Sequence, residues 1–297
     1  MKRLIVIVGA NASGKSELGI RLAKQFGGEV VSADSRQVYR GLDIGSGKVT
    51  LEEAGGVRHY MMDVAGVEEN FTLARYQAGA YAAIDSICER GGVPILVGGT
   101  GLYISAVVEG YRLVDVTPNA ELRAELEALT LPELVARLER VDPGALADID
   151  RRNPRRLVRA IEVAEAGYLS SMRRVKLPRY ACCQLGVTWP REILVERIEK
   201  RLRDRLSGGL IEEVVRLREG GVSDRRLEQL GLEYRYVSRY LRGELRSREE
   251  LTEQLGIAIR QYAKEQMTWF RRDSRIRWLD MSGDPFREAC ERIVEWG

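Results

Sequence analysis

GANASGKS, residues Gly9 to Ser16, is the stretch on which the reading of this chain turns. It follows the apolar run RLIVIVG (Arg3 to Gly9) and leads into ELGIRLAKQF, whose apolar residues recur at helical spacing. Strand, glycine-rich loop and helix start thus come in the order of the phosphate-binding motif G-x-x-x-x-G-K-S/T. Backbone N–H groups of such a loop wrap phosphate oxygens, and the helix dipole adds attraction for negative charge. Gly9, Ala10, Asn11, Ala12, Ser13 and Gly14 are the candidate loop positions. Lys15 is placed to reach the terminal phosphates, and Ser16 to hold a phosphate oxygen or Mg2+. The motif alone leaves open whether the phosphates belong to a nucleotide or to something else.

The chain has 297 residues, 44% hydrophobic and 31% charged, which is the balance of a globular protein of one large or two modest domains. No run approaches the roughly 20 uncharged apolar residues of a membrane span. The basic, apolar start MKRLIVIVGA resembles a leader peptide, but it feeds directly into the phosphate loop and reads instead as the first core strand. Four cysteines (Cys88, Cys182, Cys183, Cys290) and one histidine, His59, show neither C-x-x-C nor zinc-site spacing, so reduced thiols and a cytoplasmic location are expected. The net charge is only +3, and any affinity for nucleic acid must come from local patches.

Up to about residue 101 the pattern alternates strand and helix. A helix is expected over Ser16 to Phe26, a β-branched strand in GGEVVSADS (Gly27 to Ser35), a helix over Leu73 to Glu89, and a buried strand in GGVPILVGGTG (Gly91 to Gly101). This alternation implies an α/β fold, a P-loop NTPase-like parallel sheet flanked by helices. The turns at Gly9–Ser16, Asp34–Gln37 and Gly98–Gly101 follow strand ends and should converge on one edge, where such sheets bind ligands. From Thr117 the texture becomes helical and charged, opening on a Thr-Pro cap in TPNAELRAELEAL. No strand signal returns until YACCQLGVTW (Tyr180 to Trp189). The expected organisation is a core of residues 1–116 and 180–297 and a helical insertion of residues 117–179. EILVERIEKRLRDRL then forms a long helix with Ile198, Leu202 and Leu206 buried, and a short strand, IRWLD, precedes a terminal helix.

An ATPase or kinase normally also needs an aspartate at the end of a hydrophobic strand to hold Mg2+. VPILVGGT ends in Gly98-Gly99-Thr100 and offers none, although Asp34, after VVSA, can take that place. Asp34 and Ser35 form a strand-end turn followed by Arg36, Gln37 and a glycine-bearing loop to Lys48. A helix-capping turn is the plainer reading, and the position facing the phosphate loop favours function. RRNPRRLVR carries Arg151, Arg152, Arg155, Arg156 and Arg159 without an acid. That composition suits a phosphate-tracking patch, extended by RRVKLPR (Arg173 to Arg179), while Leu157, Val158 and Ile161 read as core.

GxxxxGKS, SADSRQVYRGLDIGSGK, PILVGGTGLY, RNPRRLVRAIEV and RQYAKEQMTWFRRD, in this order from Leu4 to about Asp280, closely resemble the tRNA dimethylallyltransferases, the bacterial tRNA isopentenyltransferases. The resemblance implies that the loop holds the diphosphate of dimethylallyl diphosphate with Mg2+. The acceptor is then the N6 of the adenosine 3′-adjacent to the anticodon of tRNA, flipped into a tunnel from the end opposite the donor. It implies Asp34 as general base, with Thr100 and Arg201 assisting the diphosphate. RNA contacts fall to Asp34, Ser35, Arg36, Gln37, Thr100, Arg123, Arg155, Arg156, Arg159 and Arg235. A soluble monomer acting on the anticodon stem-loop, without a membrane partner, is expected. The chain departs from the family pattern at Ala10-Asn11 (Pro-Thr), at Glu265 (a cation), and in GLEYRY, where LGYR is usual. Trp269 and Phe270 read as core, and His59 and Asp63 as structural. Rival readings are an adenylate isopentenyltransferase acting on free AMP, ADP or ATP, a P-loop small-molecule kinase, and a non-catalytic RNA-binding protein.

Overall fold

The computed structural model describes residues 1–114, 116, 119–147, 149–170 and 176–297. The Thr117-Pro118 cap and the part of the basic extension at residues 173–175 lie outside the described residues. Among the described residues six strands form one sheet: β1 (Lys2–Gly9), β2 (Gly28–Ser32), β3 (His59–Tyr60), β4 (Val93–Gly98), β5 (Tyr180–Thr188) and β6 (Arg277–Asp280). Their order is β3-β2-β4-β1-β5-β6, and every pairing is parallel.

Parallel strands covered on both faces read as continuous apolar runs, and β1 shows why. Ile5 and Ile7 join Leu18 and Leu22 of helix α1 (Lys15–Phe26) in the core of one face. Alternation turns Leu4, Val6 and Val8 to the other face, and these are fully buried too. The register Ile5↔Ile95 and Ile5↔Cys183 puts β1 in the middle, so the loop leaving it sits at the centre of the sheet edge.

Among the described residues the remaining α-helices are α2 (Leu51–Ala54), α3 (Leu73–Glu89), α4 (Gly101–Glu109), α5 (Ala120–Glu127), α6 (Leu131–Val141) and α7 (Pro154–Glu165). After β5 come α8 (Arg191–Ser207), α9 (Leu210–Glu219), α10 (Asp224–Leu227), α11 (Leu232–Leu241), α12 (Arg248–Phe270) and α13 (Pro285–Trp296). The two-residue strand β3 had no strand signal in the sequence, being too short for alternation to register. Ile198, Leu202 and Leu206 are the buried stripe of α8, as their spacing predicts. Phe270 is buried, whereas Trp269, expected in the core, is 37% exposed; its indole covers Gly101, where a side chain would collide with it.

The chain divides into two compact units, residues 1–71, 76–104 and 180–297 in one and residues 72–75 and 105–179 in the other. The first holds the sheet. The second has a core of its own, with Leu126, Leu134, Leu138, Leu157 and Ile161 packed among α5, α6 and α7. Asn153 caps α7 by accepting from the Arg156 N–H at 3.2 Å. Among the described residues no helix is long and apolar enough to cross a membrane. The four cysteines form no disulfide among the described residues.

Candidate active site

The phosphate loop leaves β1 and enters α1 through Gly14, whose φ of 88° lies in the left-handed region where glycine is favoured. Side chains from three other elements fix its shape. Trp189 Nε1 donates to the Ser13 carbonyl at 3.0 Å, Arg197 Nε to the Ala12 carbonyl at 2.9 Å, and Gln266 Oε1 accepts from the Asn11 N–H at 2.9 Å. Gln266 also donates to the Gly99 carbonyl at 2.9 Å, so one buried amide on α12 ties the turn after β1 to the turn after β4. Lys15 is buried, with Nζ 3.2 Å from the Ala10 carbonyl. Loss of solvent first, and repulsion from Arg201 next, push its ammonium down to about 8, while Asp34 opposes the shift.

The turn after β2 is built on Asp34, whose Oδ1 accepts from the Arg36 N–H at 2.8 Å. Ser35 N–H donates to Thr100 Oγ1 at 3.0 Å, and Thr100 N–H to the Ala33 carbonyl at 3.1 Å, so the Asp34 and Thr100 turns are bolted together. Gln37 is committed at both ends: Oε1 accepts from Ser32 Oγ at 2.8 Å and Nε2 donates to the Gly47 carbonyl at 3.2 Å. Arg36 Nη1 donates to the Gln229 carbonyl at 2.9 Å.

The loop after this turn hangs on a carboxylate that sequence reasoning missed. Glu213, buried on α9, accepts from the N–H groups of Asp43 (3.1 Å), Ile44 (2.8 Å) and Gly45 (3.0 Å). Tyr234 OH donates to the same carboxylate at 2.8 Å and accepts from the Ser46 N–H at 3.2 Å. Lys48 closes the loop with ion pairs to Asp43 and Asp63.

These three turns converge on one cavity of about 260 Å³, lined by Asn11, Lys15 and Ser16 of the phosphate loop together with Asp34, Ser35, Arg36, Gln37 and Thr100. Arg201 and Arg205 of α8, Glu233 and Arg235 of α11, and Tyr262 and Gln266 of α12 complete the wall. The carboxyl group of Asp34 and the ammonium of Lys15 therefore share a single chamber. Burial, then repulsion from Arg205, lowers the Arg201 guanidinium to about 10. Arg235 donates to the Glu228 carbonyl at 3.0 and 2.9 Å. Gly9, Ala12 and Gly14 shape the loop without lining this chamber. Ala10 and Ser13 line a second, more apolar cavity of about 560 Å³ that contains neither Asp34 nor Lys15.

The remaining arginines expected to contact RNA lie in the second unit. Arg123 makes a two-pronged bond to buried Glu162 at 2.8 and 2.9 Å, and Arg159 meets the same carboxylate at 3.4 Å and the Val116 carbonyl at 3.0 Å. Arg155 and Arg156 are exposed on the first turn of α7 and form no ion pair among the described residues. Gln266, Arg205, Glu213, Tyr234 and Glu233 are the site residues that sequence reasoning passed over. Arg205 had a signal, standing one helical turn after Arg201; Glu213 had none.

A fully parallel sheet whose central strand ends in a phosphate loop, facing a strand-end carboxyl group across a basic chamber, defines a P-loop-class group-transfer enzyme. Residues 37–273 match the model of the IPP transferase family. The chain belongs to that family, whose members are the tRNA dimethylallyltransferases. It is 43% identical over 298 residues to tRNA dimethylallyltransferase 2 of Shewanella sediminis, covering 99% of this chain and 98% of that one. It is 45% identical over 290 residues to tRNA dimethylallyltransferase 1 of Geotalea daltonii, covering 96% and 93%. A crystal structure of full-length tRNA isopentenylpyrophosphate transferase from Bacillus halodurans superposes with a TM-score of 0.75 at 35% identity, over 100% of this chain and 98% of that chain. A eukaryotic dimethylallyltransferase acting on tRNA gives 0.80 at 26% identity, over 99% of this chain and 78% of that chain. The family model starts beyond the phosphate loop, so the loop's part in the site rests on its geometry and on the full-length relatives.

Proposed function

We propose that this protein transfers the dimethylallyl group of dimethylallyl diphosphate to N6 of the adenosine 3′-adjacent to the anticodon of tRNA, releasing diphosphate. The observation that carries this reading is the shared chamber of Asp34 and Lys15. The adenine N6 attacks the allylic carbon, the carbon–oxygen bond to the diphosphate breaks, and the N6 proton passes to Asp34. An exocyclic amine is a weak nucleophile, and a positioned carboxylate assists by taking that proton. Negative charge grows on the departing diphosphate, where Lys15, Arg201 and the Thr100 hydroxyl stabilise it. The base has to leave its stack to enter the chamber.

Mg2+ fits the residues present. It binds through one or two protein oxygens plus substrate phosphates and water, and the Ser16 hydroxyl lines the chamber where those phosphates would lie. Among the described residues no cluster of three His, Cys, Asp or Glu side chains offers a cage, so a bound ion would depend on the phosphates. The ion would neutralise part of the diphosphate charge. The exposed Arg155 and Arg156 support a large RNA acceptor over free adenine nucleotides, and an RNA of this kind sets the reaction in the cytoplasm.

Incubation with radiolabelled dimethylallyl diphosphate, Mg2+ and unmodified tRNA tests the reading. Label is expected on tRNAs whose anticodon is followed by adenosine, with AMP unable to compete. Label on AMP in preference to tRNA would replace the proposal with an adenylate prenyltransferase.

A further inference from the structure

We infer that Arg205, which no motif assigned, is a further cation for the donor's diphosphate, with Glu233 as the counter-ion that holds it ready. The inference rests on the function proposed above and deepens it.

Arg201 and Arg205 stand one turn apart on α8 and therefore share a face. Both line the chamber beside Lys15 and Ser16. Their Nη2 atoms crowd the same point: a side chain at Gly47 would collide with both, so the two guanidinium groups meet at a loop residue that must stay bare. Arg205 has a side chain only 14% exposed, and its Nη1 donates to Glu233 Oε1 at 2.8 Å. A purely structural ion pair needs no more than that one edge. The Nη2 edge instead turns to Gly47, beside the Nη2 of Arg201.

Packing like charges in a half-dry cavity is costly unless an anion divides its charge between them. The chamber wall holds Lys15, Arg201 and Arg205, with Arg36 and Arg235 further round, against the carboxyl groups of Asp34 and Glu233. A diphosphate seated on the phosphate loop supplies the missing negative charge. Guanidinium binds phosphate oxygens in a fork, and Arg205 has the free edge to do so without releasing Glu233. The donor is favoured over an RNA phosphate because Lys15 and Ser16 open on the same space.

Binding of inorganic diphosphate with Mg2+ to the full chain, followed by calorimetry without RNA, tests the assignment. Arg205→Met is expected to weaken binding on the order of tenfold, the usual consequence of losing a charge-assisted contact, and to raise KM for the prenyl donor while leaving KM for tRNA unchanged. Arg205→Lys keeps the charge and recovers part of the loss. Glu233→Gln preserves an acceptor oxygen and removes only the charge, so diphosphate should bind several-fold more tightly. Unchanged diphosphate binding in Arg205→Met, or weaker binding in Glu233→Gln, overturns the inference. Loss of affinity for an anticodon stem-loop RNA with diphosphate binding intact gives the arginine to the RNA and also overturns it. Lys15→Ala separates the levels: if it too leaves diphosphate binding unchanged, the phosphate-loop reading itself has failed.

Discussion

At the scale of single residues, the chamber sets two titratable groups different tasks. Asp34 is held by the Arg36 N–H on one oxygen, which fixes the carboxyl group; in the role proposed for it, the other oxygen would meet the acceptor. A base that acts in the transition state contributes to turnover and little to ground-state binding. Asp34→Asn is therefore expected to lower kcat by about 10²- to 10⁴-fold with tRNA affinity within about twofold of the wild type. Filter binding alongside single-turnover kinetics checks it, and an equal fall in affinity would make Asp34 a binding residue. Lys15 gives the second prediction. In the empty site its ammonium lies near 8, below the ordinary 10.5. Below pH 8 it is charged and diphosphate affinity should be flat with respect to this group. Above pH 8 the free site loses the proton that the bound anion retains, and affinity should fall by up to about tenfold per pH unit. For stability the sign is opposite. Between about 8 and 10.5 the unfolded chain binds more protons than the folded one, so this lysine makes the empty protein more stable as pH rises. Calorimetry across pH 7 to 10 reads the first effect. A Lys15→Met variant should lose it.

At the scale of elements, strands and helices were legible wherever one period ran uninterrupted. The β1 run, the α8 stripe of Ile198, Leu202 and Leu206, and the span of α3 all follow from spacing. So did the convergence of three turns, because parallel strands place their carboxyl ends on one edge. What spacing could not reveal is the support behind those turns. Glu213 lies 168 to 170 residues from the N–H groups it holds, and nothing within α9 distinguishes it from a solvent-facing glutamate. Gln266 lies 255 residues from Asn11. Long-range hydrogen bonds leave no periodic trace. Their energetic weight is testable: Glu213→Ala would take the acceptor from the buried Gly45 N–H and from the part-buried N–H groups of Asp43 and Ile44, at roughly 1–3 kcal/mol for each that stays unsatisfied. That variant should melt well below the wild type. Tyr234→Phe is the milder probe, removing one hydroxyl shared by Glu213 and Ser46 at a cost of about 1 kcal/mol. Since Gly45, Ser46 and Gly47 line the chamber, its kcat/KM should fall by more than its melting temperature suggests. If activity and stability fall in proportion, the loop's role is confined to folding.

At the scale of the whole molecule, each unit has its own core and its own charge pattern. The first concentrates cations inside a cavity, while the second exposes arginines on its surface, Arg151, Arg152, Arg155 and Arg156 among them. α7 buries Leu157, Val158 and Ile161 and leaves Arg155 and Arg156 exposed, so one helix supplies both core and basic face. The sequence had placed five to six arginines on an equal footing there. The structure divides them by partner: Arg123 and Arg159 meet buried Glu162, which a count of charges in one segment could not show because Arg123 lies 39 residues from it. Removing Arg123 would leave buried Glu162 with only the longer contact to Arg159 as a cationic partner, so its loss confounds folding with RNA binding. Arg155 and Arg156 are the cleaner test. Each phosphate contact on a single-stranded or loop region contributes roughly 0.7 to the slope of log affinity against log salt. The double variant Arg155→Ala/Arg156→Ala should then flatten that slope by about 1.4, weaken tRNA binding at low salt, and leave the affinity for diphosphate and the melting temperature unchanged. Titration of an anticodon stem-loop at three salt concentrations is sufficient. A slope equal to that of the wild type would mean that these two exposed cations face solvent in the complex as well.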